Sequence, residues 1–276
     1  KLSNNIVMLE GKTMLQIKEY VKVDSLEQAY ELNQKRNNVI IGGMHWLKMM
    51  TKNIGTAIDL SGLGLDQIVE TEEAFEIGCM CSLRQLELHE GLNRYCNGAA
   101  RDAVKDIVGT QFRNTATIGG SIYGRYGFSD VLTVFLAMDT TVVLHKAGKV
   151  PLEDYAQRKA DRDIIVKLIV KKSAKNICYL AQRHARTDFP ILTCAVSCTD
   201  GQWKAVVGAR PQRAQVVYDE NKLLSEINEK TAADFALAVS DKLTFGSNMR
   251  SSGEYRQMIA PVLIRRAILA AVGKEK

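Results

Sequence analysis

Residues 109–122 read Gly109-Thr110-Gln111-Phe112-Arg113-Asn114-Thr115-Ala116-Thr117-Ile118-Gly119-Gly120-Ser121-Ile122. The inner segment Thr117-Ile118-Gly119-Gly120-Ser121 has a counterpart earlier in the chain, Ile40-Ile41-Gly42-Gly43-Met44. Each Gly-Gly pair follows an apolar or β-branched run, so each is expected to leave a strand through a sharp turn. Lacking Cβ atoms, such a backbone approaches an anion closely and aims successive N–H groups at it. One pair alone signals only a turn, whereas two facing loops would hold the two halves of a pyrophosphate.

Two other glycine motifs fail the same test. Gly11-Lys12-Thr13 resembles the end of a P-loop, but Ile6 stands where the earlier glycine is required. Gly62-Leu63-Gly64 follows a strand candidate, yet Gln67 occupies the third glycine position of a dinucleotide fingerprint, so these glycines read as turn residues.

Outward from the loops, helix and strand signals alternate through the first half. Ser25-Leu26-Glu27-Gln28 and Ser82-Leu83-Arg84-Gln85 are capping boxes that open helices. Asn38–Ile41, Ala57–Leu60 and Phe75–Gly78 are short strand candidates. After about residue 163 four strand-like runs follow: Asp163–Val170, Ile177–Gln182, Ile191–Cys198 and Trp203–Val207. Asp200-Gly201 sits between the last two as a hairpin turn. From Thr231 the pattern is helical, ending in an amphipathic stretch from Ser252 to Val272 that Pro261 interrupts. A strand block followed by a helix block is the pattern of an α+β domain, with a boundary near residue 170.

The chain has 276 residues, 46% hydrophobic and 25% charged, which is an ordinary globular mix. No apolar run is long enough for a transmembrane helix, and Lys1–Asn5 is not followed by the apolar core and cleavage site of a signal peptide. The sequence therefore reads as a soluble, cytoplasmic protein. Its net charge is +6, but the basic residues are dispersed, which argues against nucleic acid and favours an anionic ligand or acidic partner. The six cysteines lack zinc-like or iron–sulfur spacing and read as buried thiols, with Cys79 and Cys81 on one face of a strand-like run. No metal site is expected on this chain.

These residues resemble the FAD-binding (medium) subunit of the molybdenum hydroxylases, the xanthine dehydrogenase and carbon monoxide dehydrogenase family. Val39 to Leu47 is similar to that family's apolar-Gly-Gly-Thr-Asp-Leu segment, and Gly109 to Ile122 to its second motif. Ser129-Asp130, Arg186-Thr187-Asp188-Phe189-Pro190-Ile191 and Ser252-Gly253-Glu254-Tyr255-Arg256 also fall where the family has them.

The resemblance implies an α+β fold: a two-lobed FAD-binding domain of the vanillyl-alcohol oxidase type, then a small α+β C-terminal domain with a three-stranded antiparallel sheet and a helix bundle. The domains would be 14–170 (lobes about 14–66 and 67–170) and 171–276, with 1–13 an N-terminal extension outside the resemblance. The cofactor would be FAD. Val39, Ile40, Ile41, Gly42, Gly43, Met44, His45 and Trp46 would cradle its pyrophosphate through main-chain N–H groups. Thr117, Ile118, Gly119, Gly120 and Ser121 would touch it from the other side. Asp130 would bond the polar part of the flavin nucleotide, and Ile165 and Arg183 would line the isoalloxazine.

The chain departs from the family at Met44-His45, where Thr-Asp or Thr-Asn is usual, at Ser121, and at Tyr123-Gly124-Arg125-Tyr126-Gly127. Met44 cannot hydrogen-bond a phosphate, while a protonated His45 could. By resemblance the chain is an electron-transfer flavoprotein subunit. Electrons would come from a molybdenum-cofactor subunit through a two-iron two-sulfur subunit, in a heterotrimer, single or doubled, and leave to NAD or another acceptor. No acid, base or nucleophile is named, because the flavin carries the chemistry. The rival readings are a stand-alone flavin oxidoreductase of the same fold and a flavin-free interaction subunit.

Overall fold

The computed structural model describes residues 14–273. The N-terminal extension, with its rejected Gly11-Lys12-Thr13 motif, lies outside the described residues. The first lobe is a parallel sheet of three strands, β1 (Gln16–Lys22), β2 (Val39–Ile41) and β3 (Asn53–Asp59), in the order β1-β3-β2. Helix α1 (Leu26–Asn33) makes the β1-to-β2 crossover. Its cap is half of the box that the sequence suggests: Ser25 Oγ accepts from Gln28 N, but Gln28 Oε1 accepts from Asp24 N.

The second lobe is an antiparallel sheet in the order β4-β5-β8-β6-β7, made of β4 (Ile68–Glu70), β5 (Ala74–Gly78), β6 (Asp139–Leu144), β7 (Gly148–Pro151) and β8 (Ile165–Lys171). Between β5 and β6 lie six short helices: α2 (Leu83–Leu88), α3 (Glu90–Tyr95), α4 (Ala99–Val104), α5 (Thr110–Thr115), α6 (Ile118–Gly124) and α7 (Asp130–Ala137). Helix α8 (Leu152–Gln157) follows β7. The run 163–170, which the sequence groups with the later strands, is thus the centre of this sheet, paired to both β5 and β6.

A third sheet runs β12-β11-β10-β9, with β9 (Ala174–Gln182), β10 (Leu192–Thr199), β11 (Gln202–Gly208) and β12 (Gln215–Tyr218). It carries one strand more than the three expected, the short edge strand β12. Helices α9 (Glu229–Asp241) and α10 (Gly253–Gly273) pack on it. The hairpin at Asp200-Gly201 has both residues at positive φ, as a two-residue type I′ turn requires. The fold is accordingly α+β: two lobes and a small third unit of sheet and helices.

Burial explains the third sheet's sequence. Tyr179, Ala195 and Val206 belong to the core shared with the lobes, whereas Cys178, Cys194, Val196, Ala205 and Val207 belong to the core under α9 and α10. A sheet covered on both faces reads as a continuous apolar run, not an alternation. Helix α7 is also buried all round, from Asp130 to Ala137, as a helix apolar on every face must be, with Asp130 and Thr133 its two polar residues. Its last carbonyls are met by side chains: Thr140 Oγ1 donates to Phe135 O, Lys204 Nζ to Leu136 O and Ser197 Oγ to Ala137 O. A helix end taken out of water needs such partners. They also rivet the third sheet to the second lobe.

Three local expectations are corrected. Gly119-Gly120 does not leave a strand; both lie in the first turn of α6, behind the N-cap Thr117, which makes only an isolated bridge with Ser82. Cys79 to Cys81 lies in a turn just beyond β5, with Cys81 N bonded to Gly78 O, although both thiols are buried as expected. Pro261 does not interrupt the last helix. The carbonyl it leaves unpaired, four residues back at Gln257, is on an exposed position where water can serve it. Arg256 is fully buried and donates to Ile191 O, Gly246 O, Ser251 O and Asn248 Oδ1, which holds the loop before α10 in place.

Candidate cofactor site

The first glycine pair meets the segment that leads into the second. A Cβ built on Gly42 would lie 2.6 Å from Thr117 Oγ1, and one on Gly43 would lie 2.1 Å from the Thr115 carbonyl oxygen. The first loop therefore lies directly on the segment that joins α5 to α6. On the other side, a Cβ on Gly119 would lie 2.6 Å from the Cys79 carbonyl oxygen. Gly43 and Gly119 are required by backbone packed against backbone, and Gly42 by the Thr117 side chain.

The two loops differ in what they offer a ligand. The N–H groups of Ile118, Gly119, Gly120 and Ser121 are all used inside the chain, by Cys81 O, Cys79 O, Thr117 Oγ1 and Thr117 O. In contrast, no acceptor among the described residues meets the backbone N–H groups of Gly42 to Trp46. Met44 stands in the left-handed region at φ 58, and one such residue in a turn makes successive amides converge into an anion-binding concavity. Beside them, Thr117 Oγ1 accepts from Gly120 N, which leaves its own O–H proton to give. Unspent amides facing a hydroxyl donor suit a pyrophosphate, so the residues present fit the nucleotide part of FAD. Val39, Ile40 and Ile41 form β2, which delivers the chain into this turn.

His45 does not point at the concavity as a cation. Its Nε2 is 2.7 Å from Thr115 Oγ1, and its ring packs on Phe112 with centroids 3.8 Å apart. Burial, then the charge of Lys48, pushes its pKa down, with a hydrogen bond to the Phe112 backbone acting the other way. The ring is neutral at pH 7.

Asp130 opens α7 and is buried, and its Oδ1 accepts from the Tyr179 hydroxyl and from Arg183 Nη2, the latter at 2.6 Å. Arg183 is therefore an ion-pair partner, and its Nη1 also donates to Asp188 O. Burial raises the Asp130 carboxyl to about 6 against the opposing pull of Arg183 and Tyr179. Ile165 is buried in the main core, in register with Leu144, and the next residue's carbonyl accepts from Cys79 N. It thus lies behind the turn that backs Gly119. Ser121 Oγ donates to Thr117 O.

A further feature was not legible in sequence. Trp46 lies 5.5 Å from Tyr126, 5.7 Å from Phe128 and 5.9 Å from Phe189, centroid to centroid. Tyr126 and Phe128 stack at 5.2 Å, and the Arg250 guanidinium sits over Phe189 while paired to Asp188. The four rings come from the first glycine loop, the loop before α7 and the β9–β10 loop, so no local spacing announces them. Trp46 keeps 40% of its surface exposed, whereas Trp203, the other tryptophan, is buried under α9 and α10. FAD uptake is expected to quench the exposed indole's emission. Trp46→Phe should abolish that response and leave the blue-shifted emission of Trp203 unaltered. A full response surviving in that variant would place the flavin away from the ring cluster.

Comparison with known proteins agrees with this architecture. The family described as "FAD binding domain in molybdopterin dehydrogenase" matches residues 14–172. The nicotine 6-hydroxylase medium subunit of Paenarthrobacter nicotinovorans is 24% identical over 273 residues, covering 91% of this chain and 96% of its own. The glyceraldehyde dehydrogenase medium chain of Sulfolobus acidocaldarius is 23% identical, over 90% and 96%. The fold is shared with a chain of quinoline 2-oxidoreductase from Pseudomonas putida 86, at TM-score 0.83 and 19% identity, covering 94% and 98%. It is shared also with a chain of the Cu,Mo-CO dehydrogenase, at TM-score 0.82 and 20% identity, covering 95% and 100%.

Proposed function

The chain belongs to the family of FAD-binding domains in molybdopterin dehydrogenases, and from that premise we propose that it passes electrons from partner iron–sulfur clusters through FAD to NAD or another acceptor. It is an FAD-binding oxidoreductase subunit of the molybdenum hydroxylase family. The finer reading is a xanthine dehydrogenase-like division of labour in a heteromeric, cytoplasmic complex. Substrate would be oxidised on a molybdenum-cofactor subunit, and a two-iron two-sulfur subunit would relay the electrons. The names of the relatives, medium subunit and medium chain, support partners of this kind. Among the described residues no helix is long and apolar enough to cross a membrane.

The observation that carries the reading is the run of unspent amides from Gly42 to Trp46, in a loop whose glycines pack on Thr115 to Thr117. When bound, FAD supplies the capacity to take electrons singly and give them up in pairs. This chain's residues would bind and orient it. The amides of Gly42 to Trp46 and the Thr117 hydroxyl would hold the pyrophosphate. The exposed α-carbon of Gly120 would give it room, and Asp130, fixed by Arg183 and Tyr179, would meet the polar part of the nucleotide. In this reading residues 14–170 form the cofactor domain and residues 171–276 close over it.

The test is the visible spectrum of the purified chain, with release of FAD on acid treatment. A yellow protein is expected, and Gly120→Asp should be colourless though folded. A Cβ there meets only Thr117 Oγ1, at 3.1 Å, so the fold tolerates the change while the carboxylate repels phosphate. A folded wild-type chain that takes up no added FAD would give precedence to the flavin-free interaction subunit.

A further inference from the structure

We propose that His45 is a positioning residue: pinned on Phe112 and Thr115, it holds Met44 in the left-handed conformation and so keeps the amides of Gly43 to Trp46 convergent, without touching the phosphate. The inference rests on the flavin reading of this loop and adds how the loop keeps its shape.

Met44 is the strained member of the turn. An L-residue at φ 58 costs about 1–2 kcal/mol relative to the right-handed region, and such a residue persists only where its surroundings over-determine it. Here both neighbours are fastened to the same short helix. On one side the Gly43 α-carbon is so close to the Thr115 carbonyl that a Cβ would lie 2.1 Å from its oxygen. On the other, His45 Nε2 is 2.7 Å from Thr115 Oγ1 and its ring lies 3.8 Å from that of Phe112, tilted by 31°. Lys48 N then donates to Met44 O and closes the turn. With both ends tied to α5, Met44 has no room to relax.

The chemistry of the contact suits a latch. The Thr115 hydroxyl proton goes to the carbonyls of its own helix, Phe112 O at 3.3 Å and Gln111 O at 3.5 Å. In the Nε2-protonated tautomer its lone pair accepts Nε2–H from the imidazole. The imidazole therefore spends that N–H on α5 and has no charge to offer an anion. The side chain of Met44 itself cannot hydrogen-bond a phosphate, so the loop depends on backbone donors whose direction the latch sets.

The experiment compares FAD affinity of the whole chain, by flavin fluorescence titration, with the ³¹P shifts of the bound pyrophosphate. His45→Ala is expected to weaken FAD about five- to thirtyfold, the factor equivalent to the strain of one left-handed residue, and to move the ³¹P resonances toward those of free FAD. In a Met44→Gly background, where positive φ carries no penalty, the same change should cost no more than about threefold. His45→Gln, which keeps a donor toward Thr115, should recover part of the loss. Wild-type affinity in His45→Ala, or an equal loss in both backgrounds, overturns the latch. A wild-type chain that binds no FAD overturns the flavin reading, and the latch with it.

Discussion

Gly43→Ala is expected to lower FAD affinity at least a hundredfold. The added methyl would sit 2.1 Å from the Thr115 carbonyl oxygen, 2.6 Å from its carbon and 3.0 Å from the Ala116 α-carbon. All three are backbone, held by the hydrogen bond from Ala116 N to Phe112 O, so no side chain can swing aside. The loop must lift by about 1 Å or more to reach ordinary contact distance, which carries the amides of Gly43 to Trp46 with it. Charge-assisted bonds contribute about 1.5–3 kcal/mol each, and losing two corresponds to a hundredfold or more. Equilibrium titration of FAD, with a thermal melt to establish folding, measures this. Gly120→Ala separates the two effects, because its Cβ meets only a hydroxyl at 3.1 Å, so a loss of FAD there reports room taken from the pyrophosphate and not displaced backbone. Unimpaired binding by Gly43→Ala would mean that contact between the loops does not shape the site.

Arg183→Ala should destabilise the fold by about 3–5 kcal/mol, because it strands the buried Asp130 carboxylate. For a chain of this size that is a drop in Tm of roughly 10 °C. Replacing both partners, Asp130→Asn with Arg183→Met, should cost much less, since no charge is then left buried. The pH dependence carries a distinctive sign. Burial lifts the Asp130 carboxyl to about 6 in the folded protein, against its ordinary value of 3.8. Between those values the folded chain holds a proton that the unfolded chain has released. This group's contribution to stability is therefore largest below about pH 4, falls as pH rises toward 6, and is level above. The slope is at most about 1.4 kcal/mol per pH unit. Asp59, Glu87 and Asp188 are shifted downward and act in the opposite sense, so the quantity to measure is wild type minus Asp130→Asn, by urea unfolding across pH 4–8. A difference curve that rises with pH in that window contradicts the assignment.

Much of the architecture was legible in the chain. β2, β3 and β5 are announced by short β-branched runs ended by glycine or turn residues, and α2 by a full capping box, with Gln85 N on Ser82 Oγ and Ser82 N on Gln85 Oε1. These signals are local, set within one turn of helix or one strand. The misreadings occur where a local signal was overruled by distant partners. Gly119-Gly120 looks like the end of a strand, but the Cys79 and Cys81 carbonyls accept from the preceding amides and start a helix instead. Pro261 looks like a helix break, but packing of Ala260, Leu263 and Ile264 into the second core carries α10 through it. Tyr179 was missed as a partner of Asp130 because a tyrosine on a strand covered on both faces carries no mark of what it faces.

By itself, the sequence determined the α+β class, the places of the two glycine loops and the resemblance to a flavin-binding subunit. Glycine at a crowded α-carbon and apolar periodicity are properties of residues and their near neighbours. Only the tertiary structure decided which loop still has amides to give. That depends on where the Cys79, Cys81 and Thr117 oxygens lie relative to α6, and on no acceptor among the described residues bonding to the N–H groups of Gly42 to Trp46. The same holds for His45 and Arg183. Charge suggested His45 as a ligand and the resemblance suggested Arg183; the structure shows the first packed on Phe112 and Thr115, where burial lowers its pKa, and the second ion-paired to Asp130. A hydrogen bond made inside the chain is one no longer available to a cofactor, and only the assembled structure shows which have been made.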